Sequence, residues 1–325
     1  MKTKISLIQP NFQQGPKELN SYYLPYSVGV VWSYAAKFEE ITDQFELDVL
    51  IWKREDLDET VDRLISSDIV GFSTYIWNRN YNYALAKRIK EKNPDCLIIL
   101  GGPEPPITKS NMFEQLPFVD LVVKQEGEIT FKRILDHYKT KDFEKISGLV
   151  INKNLEAIDT GMPERISELA ELPSPYNTGV FDKLVKENPE VEWNATLETN
   201  RGCPFQCTFC DWGSLTYSKV KKFGLEKINE ELEWIGKNKC GFVSIADANF
   251  GMFVERDNLI SDKIIEVKGK YGFPYTFGVN WAKNQKNEVV DLVKKISKAK
   301  LFAPGLTVSV QSMDEGVLEN INVRT

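Results

Sequence analysis

Trp193-Asn194-Ala195-Thr196-Leu197-Glu198-Thr199-Asn200-Arg201-Gly202-Cys203-Pro204-Phe205-Gln206-Cys207-Thr208-Phe209-Cys210 is the stretch of this 325-residue chain that constrains its reading most. Residues 193–199 alternate apolar and Thr positions with polar ones, the period-two signature of a strand. The chain then enters a loop with three cysteines at C-x₃-C-x₂-C spacing. Three thiolates on one tight loop suit three corners of a cuboidal [4Fe–4S] cluster, and thiolates favour iron–sulfur centres. One iron then lacks a protein ligand and is open to a substrate or cosubstrate, whereas ferredoxin-type carriers close all four. A structural zinc would want a fourth ligand, for which the candidates are Cys240, 30 residues beyond Cys210, and His137 in the first half. The spacing favours the cluster.

Composition narrows the rest. Five Cys stand against a single His. Cys96 and Cys240 are isolated and read as packing residues, so the cysteines form a local site and not a disulfide framework, which points to a reducing cytoplasm. His137 lies on an amphipathic stretch and reads as a surface or packing residue, leaving little room for imidazole chemistry. With 41 Lys+Arg against 47 Asp+Glu, the net charge of −6 offers no attraction to a phosphate backbone. The N-terminus MKTKISLIQP has no signal layout, and no run approaches the roughly 18 to 20 apolar residues of a membrane span. Neither nucleic acid nor membrane is expected as a partner.

Upstream, apolar runs alternate with amphipathic segments. Ile5–Ile8, Phe45–Trp52, Ile69–Tyr75, Cys96–Leu100 and Leu121–Lys124 read as strands; Ser27–Phe38, Leu57–Ile65, Tyr81–Lys92 and Ile129–Tyr138 read as helices. That alternation predicts a doubly wound, Rossmann-like parallel sheet over residues 1–145, with ligands beyond the carboxyl ends of its strands. Those ends carry Asn11, then Ser73, Thr74 and Tyr75, then Gly101, Gly102 and Glu104, then Glu126, Gly127 and Glu128. The glycines either admit a flat ligand to the backbone or simply turn the chain. No G-x-G-x-x-G or Walker sequence occurs there, which weakens dinucleotide and nucleotide readings. Residues 146–192 read as a hairpin, turning near Lys153-Asn154, and a Pro-containing linker with a short helix near Ile166–Ala170; residues 193–325 form the second domain.

The cysteine loop after a first strand, with Phe209 before the last Cys, resembles the radical S-adenosylmethionine (SAM) superfamily. The upstream segments GFSTYIWN (71–78), IILGGPEPP (98–106) and EGEITF (126–131) are similar to the cobalamin-binding domain of its B12-dependent branch. The resemblance spans essentially the whole chain. It implies a cobalamin-binding domain followed by a partial (βα) barrel, with Cys203, Cys207 and Cys210 as cluster ligands. It also implies SAM contacts from Phe209, Asp247, Asn249, Asn280, Ser309 and Gln311, and cobalamin contacts from the strand-end residues above together with Trp77. For each polar strand-end residue the alternative is a capped turn. The branch that replaces the lower base with a protein imidazole carries Asp-x-His-x-x-Gly; its absence here implies cobalamin without a His ligand, with Tyr75, Trp77 or Asn78 beneath the corrin.

The implied reaction is reductive cleavage of SAM at the cluster to a 5′-deoxyadenosyl radical, followed by methyl transfer from methylcobalamin to an unactivated carbon. The alternatives are a B12-dependent cyclisation or rearrangement without methyl transfer, and a non-catalytic cobalamin-binding module with a vestigial barrel. The implied partners are a small-molecule or peptide substrate and an external one-electron donor of the flavodoxin or ferredoxin type. The family barrel has six βα units; four strands are legible here, the fourth at Leu306–Gln311, so the chain reads as a partial one.

Overall fold

Ile5, Leu7 and Ile8 share one strand but serve two cores. Ile5 and Leu7 pack with one helical layer and Ile8 with the other. The same split separates Leu97 and Ile99 from Ile98 and Leu100, and Leu121 and Val123 from Val122. Successive side chains of a strand face opposite ways, so a strand that is apolar at every position must be covered on both sides. The computed structural model, which describes residues 1–107, 111–205, 207–208, 210, 219–282, 287–301 and 311–321, meets that requirement with helices on both faces of a sheet.

The chain divides into two compact units, Met1–Ser167 with Glu171–Glu187, and Glu168–Ala170 with Asn188–Thr325. In the first, the strands are β1 (Thr3–Asn11), β2 (Ser21–Tyr23), β3 (Phe45–Lys53), β4 (Ile69–Ser73), β5 (Leu97–Gly101), β6 (Leu121–Val123), β7 (Leu149–Lys153) and β8 (Glu156–Asp159). The large sheet has the order β3-β1-β4-β5-β6-β7-β8, parallel up to β6 and antiparallel thereafter. The strand order reverses at β1, where neighbours β3 and β4 lie on either side, and the carboxyl ends of β1 and β4 therefore open a crevice at the switch point. One face is covered by α1 (Tyr26–Ala36), α2 (Glu39–Gln44) and α6 (Glu128–Asp136), the other by α3 (Leu57–Leu64), α4 (Arg79–Lys92) and α5 (Met112–Gln115). The hairpin of β7 and β8 turns at Asn154-Leu155, both at positive φ, and extends this sheet through β6. A last helix, α7 (Asp182–Glu187), closes the unit in sequence.

In the second unit, β9 (Glu192–Leu197) leads to the short pair β10 (Asn200–Arg201) and β11 (Lys221–Lys222) and to α8 (Leu225–Lys237). Then follow β12 (Phe242–Ile245), α9 (Val254–Tyr271), β13 (Thr276–Gly278), α10 (Asn287–Lys298) and α11 (Glu315–Asn320). β13, β12 and β9 are adjacent and parallel, each crossover made through a helix. Gly236 permits the helices to pack closely: a Cβ there would stand 2.4 Å from Val267 and 2.8 Å from the Tyr271 ring. Of the expected fourth strand, Leu306–Gln311, residues 306–310 lie outside those described, and Gln311 is not in a strand. Among the described residues no helix is long and apolar enough to cross a membrane.

Candidate functional site

At the switch point of the first unit, the polar residues turn inward. Asn78 accepts from the Tyr75 amide at 2.8 Å and donates through Nδ2 to the carbonyls of Pro10 at 3.3 Å and Ser73 at 3.1 Å. It thereby ties the end of β1 to the end of β4 across the crevice. Asn82 donates to the Ser73 carbonyl at 3.2 Å and to Thr74 Oγ1 at 3.3 Å. Thr74 is 0 % exposed, and Asn78 is buried; in this structure both serve the strand-end turn. Gly102 has the same part: at φ +92° a Cβ would lie 2.5 Å from the Thr74 carbonyl oxygen, so glycine serves the approach of two backbone segments. Glu128 is buried at the start of α6, and Glu104 is ion-paired with Arg79 at 3.0 Å. Asn11 donates to the Tyr23 carbonyl at 3.1 Å, and Glu126 faces Arg165 at 3.7 Å.

Aromatic and apolar side chains also face outward here. Tyr75 and Trp77 stack with ring centroids 4.5 Å apart and planes 9° from parallel, and Phe12 meets Trp77 edge-on at 6.2 Å. Phe12, Ile76 and Trp77 are all exposed. The Tyr75 hydroxyl is pinned to Ser27 Oγ at 2.9 Å, and Arg54 donates to the Trp77 carbonyl. An exposed, flat aromatic face at a switch-point crevice suits a large planar macrocycle with apolar faces, so these residues fit a corrin.

In the second unit the cysteine loop hangs from the carboxyl end of β9 and is bracketed by the pairing of Asn200 with Lys222 and Arg201 with Lys221. None of the five cysteines is in a disulfide. Cys203 and Cys207 are buried and Cys210 is half-buried. Cys207 and Cys210 pack with Phe205 and with Leu318 and Ile321, at α11, and the Cys210 amide donates to the Cys207 carbonyl at 3.1 Å. Among the described residues no three Cys, His, Asp or Glu side chains stand together as a metal-holding group. The donor set nevertheless fits an iron–sulfur centre: three thiols on one short loop, sheltered from water, with an amide aimed at one sulfur. That amide is Asn249 Nδ2, 3.1 Å from Cys203 Sγ. Cys96 and Cys240 are buried packing residues, and burial pushes both thiols up to about 12. His137 is the C-cap of α6.

Asp247, at the end of β12, is committed to the backbone. Its Oδ1 accepts from the amides of Thr199 at 2.8 Å and Asn200 at 3.1 Å; its Oδ2 accepts from Asn200 Nδ2 at 2.6 Å and from the Thr199 hydroxyl. Burial pushes this carboxyl up to about 6 against the pull of the donors. Arg256 completes the lattice, reaching Thr199 Oγ1 at 3.1 Å and the carbonyls of Thr199 at 3.0 Å and Phe223 at 2.7 Å. Arg201 is held by Glu198 in a two-pronged pair at 2.9 and 3.0 Å. Asn280, at the end of β13, donates to the Asp247 carbonyl at 3.4 Å. The structure thus brings Cys203, Asp247, Asn249 and Asn280 to one edge. Gln311 is exposed at φ 64°, while Phe209 and Ser309 lie outside the described residues. Sequence reasoning passed over Thr199, Glu198, Arg201 and Arg256; the polar run directly after a strand was the available signal for the first three.

Comparison with known proteins bears on both units. The B12 binding domain matches residues 28–135. The cobalamin-dependent radical SAM methyltransferase TokK of Streptomyces tokunonensis is 36 % identical over 94 % of this chain and 45 % of its own length. The 2-(S-pantetheinyl)-carbapenam-3-carboxylate methyltransferase of Streptantibioticus cattleyicolor is 32 % identical over 92 % of this chain and 44 % of its own. The chain therefore spans less than half the length of these relatives. Among solved structures, the cobalamin-dependent SAM radical enzyme OxsB, with aqua-cobalamin and SAM bound, superposes with a TM-score of 0.71 at 19 % identity, over all of this chain and 46 % of that one. That likeness is one of fold.

Proposed function

We propose, on the premise that this chain carries a B12-binding domain over residues 28–135 and resembles cobalamin-dependent radical SAM methyltransferases along its length, that it methylates an unactivated carbon of a small molecule. The observation that carries the reading is the three-thiol loop at the end of β9, in a parallel βα unit that follows a cobalamin-type unit in the same chain. Cys203, Cys207 and Cys210 would hold the cluster, and the aromatic face of Tyr75, Trp77 and Phe12 would seat the corrin. Bound there, the cluster would supply an electron for the reductive cleavage of SAM, and methylcobalamin would supply the methyl group. The chain's own residues place and shelter. Asn78 and Asn82 keep the crevice rim in shape. Asp247 and Arg256 fix the backbone from which the cysteine loop departs. Phe205, Leu318 and Ile321 keep water from Cys207, which protects a radical from quenching. Phe209, Asn249, Asn280, Ser309 and Gln311 are the candidates for SAM. A cytosolic flavodoxin or ferredoxin would provide the electron. No acid–base pair is required, in keeping with a chain that has one His.

The test is anaerobic reconstitution with iron, sulfide and cobalamin, followed by assay with SAM. Expected are about four irons per chain and bound cobalamin, with cluster lost in Cys207→Ala. Stoichiometric zinc without charge-transfer absorption would overturn the reading. The first acceptor to assay is the carbapenam named for the 32 % identical relative. S-adenosylhomocysteine among the products marks methyl transfer; turnover of SAM to 5′-deoxyadenosine alone would instead favour cyclisation or rearrangement.

A further inference from the structure

Asn249 occupies a fixed point between two anchored backbone segments. On its N-terminal side the Ala246 amide donates to the Leu197 carbonyl at 2.8 Å; on its C-terminal side the Phe250 amide donates to the Asn280 carbonyl at 2.8 Å. The carboxamide therefore starts from a rigid origin, and it ends 3.1 Å from Cys203 Sγ. Asn249 is 4 % exposed and Cys203 8 %, so water competes weakly for the sulfur. The contact joins residues 46 apart in sequence, from the segment after β12 to the loop after β9.

We propose that Asn249 is a positioning residue that tunes the cluster through Cys203. The inference rests on the cluster reading above and goes beyond it, since it gives Asn249 a role toward a ligand sulfur distinct from contact with SAM. An amide N–H donated to a thiolate stabilises negative charge on sulfur. Adding an electron to an iron–sulfur cluster raises the negative charge its sulfurs carry, so the donor favours the reduced state more than the oxidised one and raises the reduction potential. The same bond fixes the Cys203 rotamer, which sets the first of the three corners before iron arrives. A donor at one corner also makes the three ligands inequivalent.

The experiment uses the reconstituted chain without SAM, so that a SAM contact cannot contribute. The midpoint potential of the cluster is read by anaerobic titration followed by electron paramagnetic resonance, with iron content measured on the same samples. Asn249→Leu removes the donor at similar volume and is expected to move the midpoint to more negative potential with iron content unchanged. Asn249→Asp, which faces the sulfur with an acceptor, is expected to move it further in the same direction. Should Asn249→Leu fail to hold iron, Asn249→Gln, which keeps an amide, is expected to regain it; a Gln variant no better than Leu overturns the proposal. Unchanged midpoints in both Leu and Asp variants with full iron also overturn it, and where a separate titration with SAM then shows weaker affinity, Asn249 belongs to SAM alone. A wild-type chain that takes up no iron counts against the cluster reading itself and is distinguishable from either outcome.

Discussion

Asp247→Asn isolates the cost of a buried charge at the root of the cysteine loop. The carboxyl is 1 % exposed, and its folded value of about 6 lies above its ordinary 3.8 because burial outweighs its four donors. Between those values the folded chain holds a proton that the unfolded chain releases, so stability falls as pH rises from about 4 to about 6 and the loss is complete above that. The gap is about 2 units, and at 1.36 kcal/mol per unit it amounts to about 3 kcal/mol. An Asn at 247 keeps one oxygen for the Thr199 and Asn200 amides, which both bond Oδ1, and gives up the two bonds to Oδ2, from the Asn200 side chain and the Thr199 hydroxyl. Losing both costs about 2 kcal/mol at about 1 kcal/mol each. The variant should therefore be the less stable chain near pH 4 and the more stable one near pH 7, a swing of about 3 kcal/mol, or roughly 150-fold in an equilibrium constant. Hydrogen exchange at the Thr199 and Asn200 amides reads this locally, and the ratio of wild-type to variant rates at each pH cancels the intrinsic chemistry of exchange. A ratio that stays constant from pH 4 to pH 8 would refute the reasoning, because it would mean that the donors, and not burial, set the state of this carboxyl.

Gly102→Ala places a methyl 2.5 Å from the Thr74 carbonyl oxygen at φ +92°; a loss of about 3 kcal/mol is expected in denaturant unfolding of the first unit, and a loss under 1 kcal/mol would show that the turn can move. Trp77→Ala removes the ring stacked on Tyr75, and cobalamin affinity measured by absorbance titration should fall by roughly 5- to 10-fold, the equivalent of about 1 kcal/mol for one aromatic stack. Glu233 is held down to about 2 by hydrogen bonds from Lys263, Lys270 and Tyr271. Its contribution to stability is present above about pH 4.5 and lost as pH falls toward 2, so Glu233→Gln should lower the melting temperature slightly at pH 7 and leave it unchanged near pH 2.

The first-unit strands were legible because parallel strands buried on both faces read as continuous apolar runs, and Ile98, Ile99 and Leu100 are such a run. Four of the six helices that cover the sheet were legible by periodicity, with ends within two residues; α2 and α5, of one to two turns, are too short to show a helical period. The fate of the hairpin was not. Leu149, Val150 and Ile151 predict a strand, but their pairing with β6 in the opposite direction is a tertiary choice that no local pattern encodes. The three cysteines were legible by spacing alone, whereas the partners of Asp247 lie 47 and 48 positions earlier in the chain. A contact of that range appears only when two parallel strands come into register, here Ile245 beside Leu197.

The residues whose reading changed share a physical cause. A parallel strand that stops at a sheet edge leaves backbone amides and carbonyls without ladder partners, and a buried edge must satisfy them from side chains. Asn78, Asn82 and Thr74 do so in the first unit, Asp247, Arg256 and Thr199 in the second. Polar residues at strand ends were expected to meet ligands, yet the edge itself consumes most of them. Among the side chains exposed near the first unit's crevice are Phe12, Ile76 and Trp77, and in the second unit the Asn249 amide lies against the Cys203 sulfur. Recognition by apolar faces and thiols is what cofactors that bring their own reactivity require of a protein. A protein that does its own acid–base work needs the opposite arrangement, with carboxylates and imidazoles spared from the edge and turned toward the crevice.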